Sequence, residues 1–314
     1  MTLSRPLLSA ATLAALLTGP LLSLPAHAEL DQVRFGVPPW PGVTVKTEVA
    51  SQLLEELGYR PQAQELAVSV VINGLASGNL DAYLAGWYPT ERPLIEPLVE
   101  QGRLEKVVAN VSDAVNGLAV PDHVWNAGVH TISDLDRHAD RFNSTIYGIE
   151  AGASMSEVID NQIKDDYAGL GDWTQKNSST AAMLAQVGQE IDNGQWVVFN
   201  AWKPHWMNLT YKLHYLTDDR PDSPIASVSS TVWTVVPSGL KQDDPNLYRF
   251  FHQFVVDSRI QSQWIYDYSH ERNDPEQVAH DWIAANLETV QAWLAGVKTK
   301  DGRDAFEVVS ADFR

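Results

Sequence analysis

The chain has 314 residues, of which 22 are Lys or Arg and 40 are Asp or Glu, so its net charge at pH 7 is −18. This acidic balance argues against nucleic acid and anionic membrane surfaces as partners, and it mildly favours a cationic or zwitterionic small ligand. The absence of cysteine excludes disulfides, thiol catalysis and lipid attachment through a cysteine.

The first 28 residues have the pattern of a secretory signal peptide. Arg5 precedes an apolar stretch rich in Leu and Ala, which ends at Ala26-His27-Ala28. An A-x-A ending is typical of a cleavage site, so we expect cleavage after Ala28 and a protein that is free in the bacterial periplasm. A membrane anchor is the alternative, but Gly19-Pro20 and Pro25 interrupt the run before it reaches the roughly 20 apolar residues that span a bilayer.

Strands and amphipathic helices alternate along the remaining chain, which predicts an α/β fold. Strands are predicted at 33–37, 59–66, 80–86, 106–111, 116–121, 146–149, 197–202 and 228–237. Helices are predicted at 44–57, 68–76, 93–104, 180–192, 245–258, 275–286 and 287–294. Another helix should begin at the N-cap Ser133, and a further one should follow the turn at 150–156 and end at Lys164.

This order of elements predicts two α/β lobes with a ligand cleft between them. The first lobe would contain 29–116 and 230–314, and the second would contain 117–229. The strands at 116–121 and 228–237 would cross between the lobes, and such a hinged clamp can close on a ligand.

Three predicted strands each lead to a tryptophan beside a proline. Trp40 lies between Pro39 and Pro41, and both Trp87 and Trp202 precede a proline by two residues. Because proline cannot donate to a strand ladder, each strand should stop there and leave its indole at the edge of the sheet, where open α/β folds bind ligands. The sequence therefore predicts that these three indoles meet at one small ligand.

Several ordered stretches resemble the periplasmic substrate-binding proteins of ABC importers for choline and glycine betaine, with the choline-binding branch most similar. They are Glu55-Glu56-Leu57-Gly58-Tyr59, Gly78-Asn79-Leu80-Asp81-Ala82, Gly86-Trp87, Leu118-Ala119-Val120-Pro121, Val124-Trp125-Asn126-Ala127-Gly128-Val129, Ile146-Tyr147-Gly148-Ile149-Glu150, Gly169-Leu170-Gly171-Asp172-Trp173, Met183-Leu184-Ala185-Gln186-Val187-Gly188, Trp202-Lys203-Pro204-His205 and Trp293-Leu294-Ala295-Gly296-Val297. The resemblance covers nearly all of the chain after residue 28. It implies a type II periplasmic binding fold and a box of aromatic rings, here Trp40, Trp87 and Trp202, around a trimethylammonium group.

At the ligand's polar end the sequence departs from the pattern of the family. The ring-bearing tyrosine of the family corresponds to Asn116, and two acidic residues of the choline branch correspond to Gly42 and Lys203. An asparagine that holds the ligand's polar tail in the family corresponds to Ser154 or a neighbouring residue.

We interpret these departures as a change of ligand charge. If Gly42 and Lys203 face inward, they remove two negative charges and add a positive one, which disfavours choline and favours a zwitterionic betaine such as carnitine or glycine betaine. A choline-specific protein is the alternative. A carboxylate could be held at the helix N-terminus that carries Ser154 and Ser156, where free N–H groups and hydroxyls bind anions, and Asn116 could donate to the same group.

His205, Trp206 and Trp233 are further candidates for the cavity wall, although each could equally be a packing residue. A ligand-binding protein of this kind needs no cofactor or metal. We expect a monomer that delivers its ligand to a membrane permease.

Two other classes of protein are alternatives to a transport binding protein. Exposed indoles also stack on sugars, but a carbohydrate-active enzyme needs two carboxylates that face each other, and no acid is paired with the three tryptophans in sequence. No H-E-x-x-H, G-x-S-x-G or P-loop motif is present. The second alternative is a binding protein that reports to a sensor rather than to a permease, and the sequence does not distinguish these two partners.

Overall fold

The computed structural model describes Met1 and residues 30–220, 223–226 and 228–313. The predicted signal peptide after Met1, with its cleavage site, lies outside the described residues. Within the described ranges, no helix has both the length and the apolar character that a membrane crossing requires.

The strands follow the predicted order closely. They are β1 (Gln32–Val37), β2 (Arg60–Glu65), β3 (Tyr83–Tyr88), β4 (Leu104–Pro121), β5 (Thr145–Gly148), β6 (Thr174–Asn177), β7 (Val198–Lys203), β8 (Leu213–Tyr215) and β9 (Val228–Pro237).

Helices connect these strands and form the C-terminal part of the chain. The α-helices are α1 (Pro41–Glu56), α2 (Val68–Ala76), α3 (Arg92–Glu100), α4 (Asp122–Trp125), α5 (Ile132–Asp136), α6 (Ser154–Lys164), α7 (Thr180–Asp192), α8 (Met207–Thr210), α9 (Leu240–Asp243), α10 (Pro245–Gln253), α11 (Ser258–Ile265), α12 (Pro275–Ala285), α13 (Leu287–Trp293) and α14 (Ala305–Asp312). Short 3-10 turns cover Ala139–Phe142 and Tyr167–Asp172, and a π-helical turn covers Tyr266–His270.

One long strand organises the molecule. The sheet order is β3-β9-β4-β7-β5-β6, with β8 also paired to β4, while β1 pairs with β2 and meets Ala82, just before β3, through Phe35. β4 pairs with β9 from Leu104 to Asn116 and with β7 from Val115 to Ala119. It therefore runs continuously from one group of elements into the other.

The elements fall into two groups around two cores. The first lobe holds β1–β3, α1–α3 and α9–α14, and the second holds β5–β8 and α4–α8. The second lobe has its own buried cluster, which includes Leu118, Ile146 and Val198. The larger cluster of the first lobe also includes Ile149 and Trp202. The cores therefore meet at the cleft, where residues of the two groups pack together.

Three predicted boundaries are wrong, each for a local reason. The strands predicted at 106–111 and 116–121 are a single strand, because β4 stays paired with β9 through the residues between them despite register shifts there. The helix predicted to start from the N-cap Ser133 has its N-cap two residues earlier, because Thr131 and Asp134 form a capping box. The helix predicted at 245–258 ends at Gln253, and Asp257 is the N-cap of a separate helix that starts at Ser258.

Candidate ligand-binding site

A small cavity lies in the cleft between the two lobes, and its size suits a compact ligand. Its wall is formed by Trp40, Trp87, Thr90, Glu91, Asn116, Ile149, Ala153, Ser154, Met155, Asn200 and Trp202.

The three predicted indoles all lie on this wall. Trp87 and Trp202 are 9% and 8% exposed, and each is the last residue but one of its strand, β3 or β7. Trp40 is half-buried at the N-cap of α1, where Pro41 starts the helix. Trp40 and Trp87 belong to the first lobe and Trp202 to the second, so the rings come together only when the lobes approach each other.

Trp40 is tied across the cleft by a residue whose role the sequence did not reveal. Its Nε1–H donates to Oε1 of Glu150 at 2.6 Å, and Glu150 follows β5 in the second lobe. The other carboxylate oxygen of Glu150 is buried without a partner. Burial raises the pKa of this carboxyl, and the indole hydrogen bond opposes that shift. The contact fixes the orientation of the Trp40 ring.

Glu91 is an acid on the wall itself, and the sequence did not reveal its role either. Its side chain is 1% exposed, and its two carboxylate oxygens accept from the Tyr83 hydroxyl at 3.1 and 3.2 Å. Burial raises the pKa of Glu91 well above its usual range, which favours the neutral form. The residue lies at the N-cap of α3, and acids at such positions are normally exposed. No sequence pattern therefore indicated its burial.

The cavity wall also carries polar groups without hydrogen-bond partners. Ser154 is the first residue of α6, it is 8% exposed, and its buried hydroxyl has no hydrogen-bond partner. The first N–H groups of a helix also lack partners within the helix and attract negative charge. Asn116, also on the wall, uses its amide oxygen to accept from the Asn200 side chain at 2.9 Å, so its NH₂ group is not used in this contact.

Three residues predicted at the polar end do not lie on the wall. A Cβ atom on Gly42 would lie 2.8 Å from the Gln261 side chain, so this residue faces α11 rather than the cavity. Ser156 donates its hydroxyl to the Ile149 carbonyl at 3.2 Å and is buried there.

Lys203 also faces away from the cavity. Successive side chains of a strand point to opposite faces, so Lys203 lies on the face opposite to Trp202, and it pairs with Asp113 at 3.3 Å. Gly42 and Lys203 therefore do not set the charge of the cavity wall, and they give no preference for a zwitterion over choline.

The further wall candidates surround the box without lining it. His205 is fully buried behind Trp202, with 5.0 Å between ring centroids, and burial lowers its pKa to about 3. Trp206 packs against His205, and Trp233 donates its Nε1–H to Thr231 in its own strand. Among the described residues, no group of three His, Cys, Asp or Glu side chains could hold a metal ion.

Comparison with known proteins agrees with this architecture. Residues 31–285 match the family described as the substrate binding domain of ABC-type glycine betaine transport systems. A choline-binding protein of an ABC transporter, solved with choline, is 30% identical, with 90% of this chain and 98% of that chain covered and a TM-score of 0.85. Lactococcal OpuAC, solved closed with glycine betaine, is 26% identical, with 84% and 99% covered and a TM-score of 0.74.

The glycine betaine/carnitine transport binding protein GbuC of Listeria monocytogenes is 31% identical over 175 residues, which are 55% of this chain. The match spans 57% of GbuC, or a little over half of its length. The predicted α/β fold, a two-lobed type II periplasmic binding protein, is confirmed by the solved structures. They and the family are transport proteins rather than enzymes. The chain therefore belongs to the family of substrate-binding domains of ABC-type glycine betaine transport systems.

Proposed function

We propose that this protein captures a zwitterionic betaine, such as glycine betaine or carnitine, and delivers it to the permease of an ABC importer. One observation carries the proposal. The cavity wall carries three indoles together with the buried Ser154 hydroxyl, which has no partner in the protein and lies on the first residue of α6. This arrangement is complementary to a molecule with a diffuse cation at one end and a carboxylate at the other.

The indoles suit the trimethylammonium group. A quaternary ammonium has no N–H to donate, and its charge is spread over methyl groups, so hydrogen-bond acceptors cannot recognise it. The faces of Trp40, Trp87 and Trp202 attract such a charge, with about 0.5 to 2 kcal/mol for each ring. Closing the lobes excludes water and moves each contact toward the upper end of that range.

The polar end suits a carboxylate. Ser154, the first-turn N–H groups of α6 and the Asn116 amide can each donate a hydrogen bond to a carboxylate in the cavity. Glu91, the acid on the wall, is buried in a site that favours its neutral form, so it brings no firm negative charge to repel the ligand. The support for a betaine thus comes from Ser154 and α6, in place of Gly42 and Lys203.

Choline is the second candidate. It is favoured by the two carboxyl groups near the box, Glu91 on the wall and Glu150 against Trp40, because either one would stabilise a pure cation if it ionised. The similarity of this chain to a protein that was solved with choline also supports this candidate.

Calorimetric titration of the protein with glycine betaine, carnitine, proline betaine and choline decides between these candidates. We expect the carboxylate-bearing ligands to bind more tightly than choline. Choline binding far more tightly than every betaine would contradict the proposal, and no binding of any of the four would refute the trimethylammonium site itself.

We further propose export to the periplasm with cleavage after Ala28, and action as a monomer. The lobe boundaries that we propose are 29–116 with 230–314 and 117–229. Mass spectrometry of the protein recovered from a periplasmic extract tests the cleavage site. Retention of residues 1–28 on the extracted protein would overturn it.

A further inference from the structure

A second tryptophan connects the two lobes outside the cavity. Trp206 follows β7 in the second lobe, it is 8% exposed, and it does not line the cavity. Its Nε1–H donates to the Ser269 hydroxyl at 2.9 Å. Ser269 belongs to the π-helical turn after α11, in the first lobe.

The acceptor is fixed in position and in polarity. The Ser269 hydroxyl donates its own proton to the Ile265 carbonyl at 3.0 Å, so its oxygen is left to accept from the indole. His270 packs edge-on against Trp206, with 4.9 Å between centroids, and stacks on Tyr266 at 4.6 Å. The π-helical turn therefore offers Trp206 one hydrogen bond and one ring contact.

The segment that carries Trp206 is braced from behind. The Asn208 amide donates to the Trp202 carbonyl at 2.8 Å and to the His205 carbonyl at 3.1 Å. Its oxygen accepts from the Tyr215 hydroxyl at 2.8 Å. Trp202 and Trp206 are thus held as parts of one rigid arm of the second lobe.

Packed rings also join this arm to the box. The centroid of His205 lies 5.0 Å from that of Trp202 and 5.4 Å from that of Trp206, and His205 is fully buried. Because protein interiors are closely packed, this contact through His205 couples the position of Trp202 to that of Trp206.

We propose that Trp206 is a latch that holds the lobes closed from outside the cavity and so sets ligand affinity without contacting the ligand. The proposal rests on the proposed function, since closure around a quaternary ammonium compound is what the latch stabilises. When only the closed form binds tightly, apparent affinity is scaled by the closed fraction, so losing the latch weakens all ligands by one common factor.

The first test uses Trp206→Phe, Ser269→Ala and the double variant, with Trp233→Phe as the matched control. Trp233 also donates its Nε1–H to a hydroxyl at 2.9 Å, but within one strand. We expect either single change to weaken glycine betaine and choline alike by roughly 3- to 10-fold, the net contribution of one hydrogen bond. The double variant should lose little more than either single variant.

The loss should appear as faster dissociation with unchanged association, because the latch forms after capture. Affinities within about twofold of wild type in both single variants, or an equal loss in the control, would overturn the proposal. A loss for one ligand only would also overturn it, since that result indicates a direct contact.

The second test observes closure itself. The chain has no cysteine, so Glu100→Cys in the first lobe and Gln189→Cys in the second, both exposed, provide one spin label on each lobe. We expect a closed distance population that Trp206→Phe reduces, with or without glycine betaine. No effect of Trp206→Phe, or no closed population in either condition, would refute the latch. A closed population that no quaternary ammonium changes would instead refute the proposed function.

Discussion

The Ser154 hydroxyl gives the sharpest test of how this cavity chooses its ligand. It is buried on the cavity wall at the start of α6 and has no partner in the protein. Ser154→Ala removes this group and little else. A hydrogen bond to a charged group contributes about 1.5 to 3 kcal/mol, so glycine betaine should bind roughly 10- to 150-fold more weakly to the variant. Choline, which has no carboxylate, should lose far less.

The same change should not destabilise the unliganded protein. A buried hydroxyl without a partner costs free energy, so the free energy of unfolding should stay constant or rise by up to about 1 kcal/mol. Isothermal titration with both ligands and chemical denaturation of the unliganded protein measure the two effects. An equal loss for choline and glycine betaine would refute the assignment of Ser154 to the carboxylate.

Ser156→Ala is the matched control in the same helical turn. Its hydroxyl already donates to the Ile149 carbonyl and does not line the cavity. We expect a loss of about 1 kcal/mol in stability and unchanged ligand affinities. If Ser156→Ala weakens betaine binding as much as Ser154→Ala does, the effect comes from the helix rather than from the hydroxyl.

Three further predictions concern the wall and its surroundings. Trp87→Ala should weaken every quaternary ammonium ligand by roughly 10-fold or more in titrations, through loss of one ring contact, and unchanged affinity would remove Trp87 from the box. Lys203→Ala should leave the ratio of betaine to choline affinity unchanged, because Lys203 pairs with Asp113 at 3.3 Å on the other face of β7, and a shifted ratio would place its charge at the ligand. The pKa of Glu91 is raised in the folded protein, so above pH 4.5, the usual pKa of a Glu carboxyl, the unfolded chain loses this proton while the folded protein keeps it. The free energy of unfolding therefore falls as pH rises from about 4.5. Denaturation at several pH values should therefore show Glu91→Gln gaining stability relative to wild type as pH rises, and parallel profiles would contradict the buried neutral acid.

Part of this molecule could be predicted from local patterns alone. The α/β class, the order of the elements and α7 follow from hydrophobic periodicity and turn residues, which act over a few neighbouring positions. The convergence of Trp40, Trp87 and Trp202 followed from one further rule, that strands in open sheets end at a common edge.

The direction in which the neighbouring side chains point was decided only by the tertiary structure. Gly42 and Lys203 lie two residues and one residue after a box tryptophan, yet Gly42 faces α11 and Lys203 pairs with Asp113. No local pattern marks Glu91 or Glu150 as a site residue, and both lie at the box because elements distant in sequence bury them. Residues next to an indole in sequence can point to the opposite face of a strand or helix, so local pattern located the box, whereas packing between the lobes decided which polar groups reach the ligand.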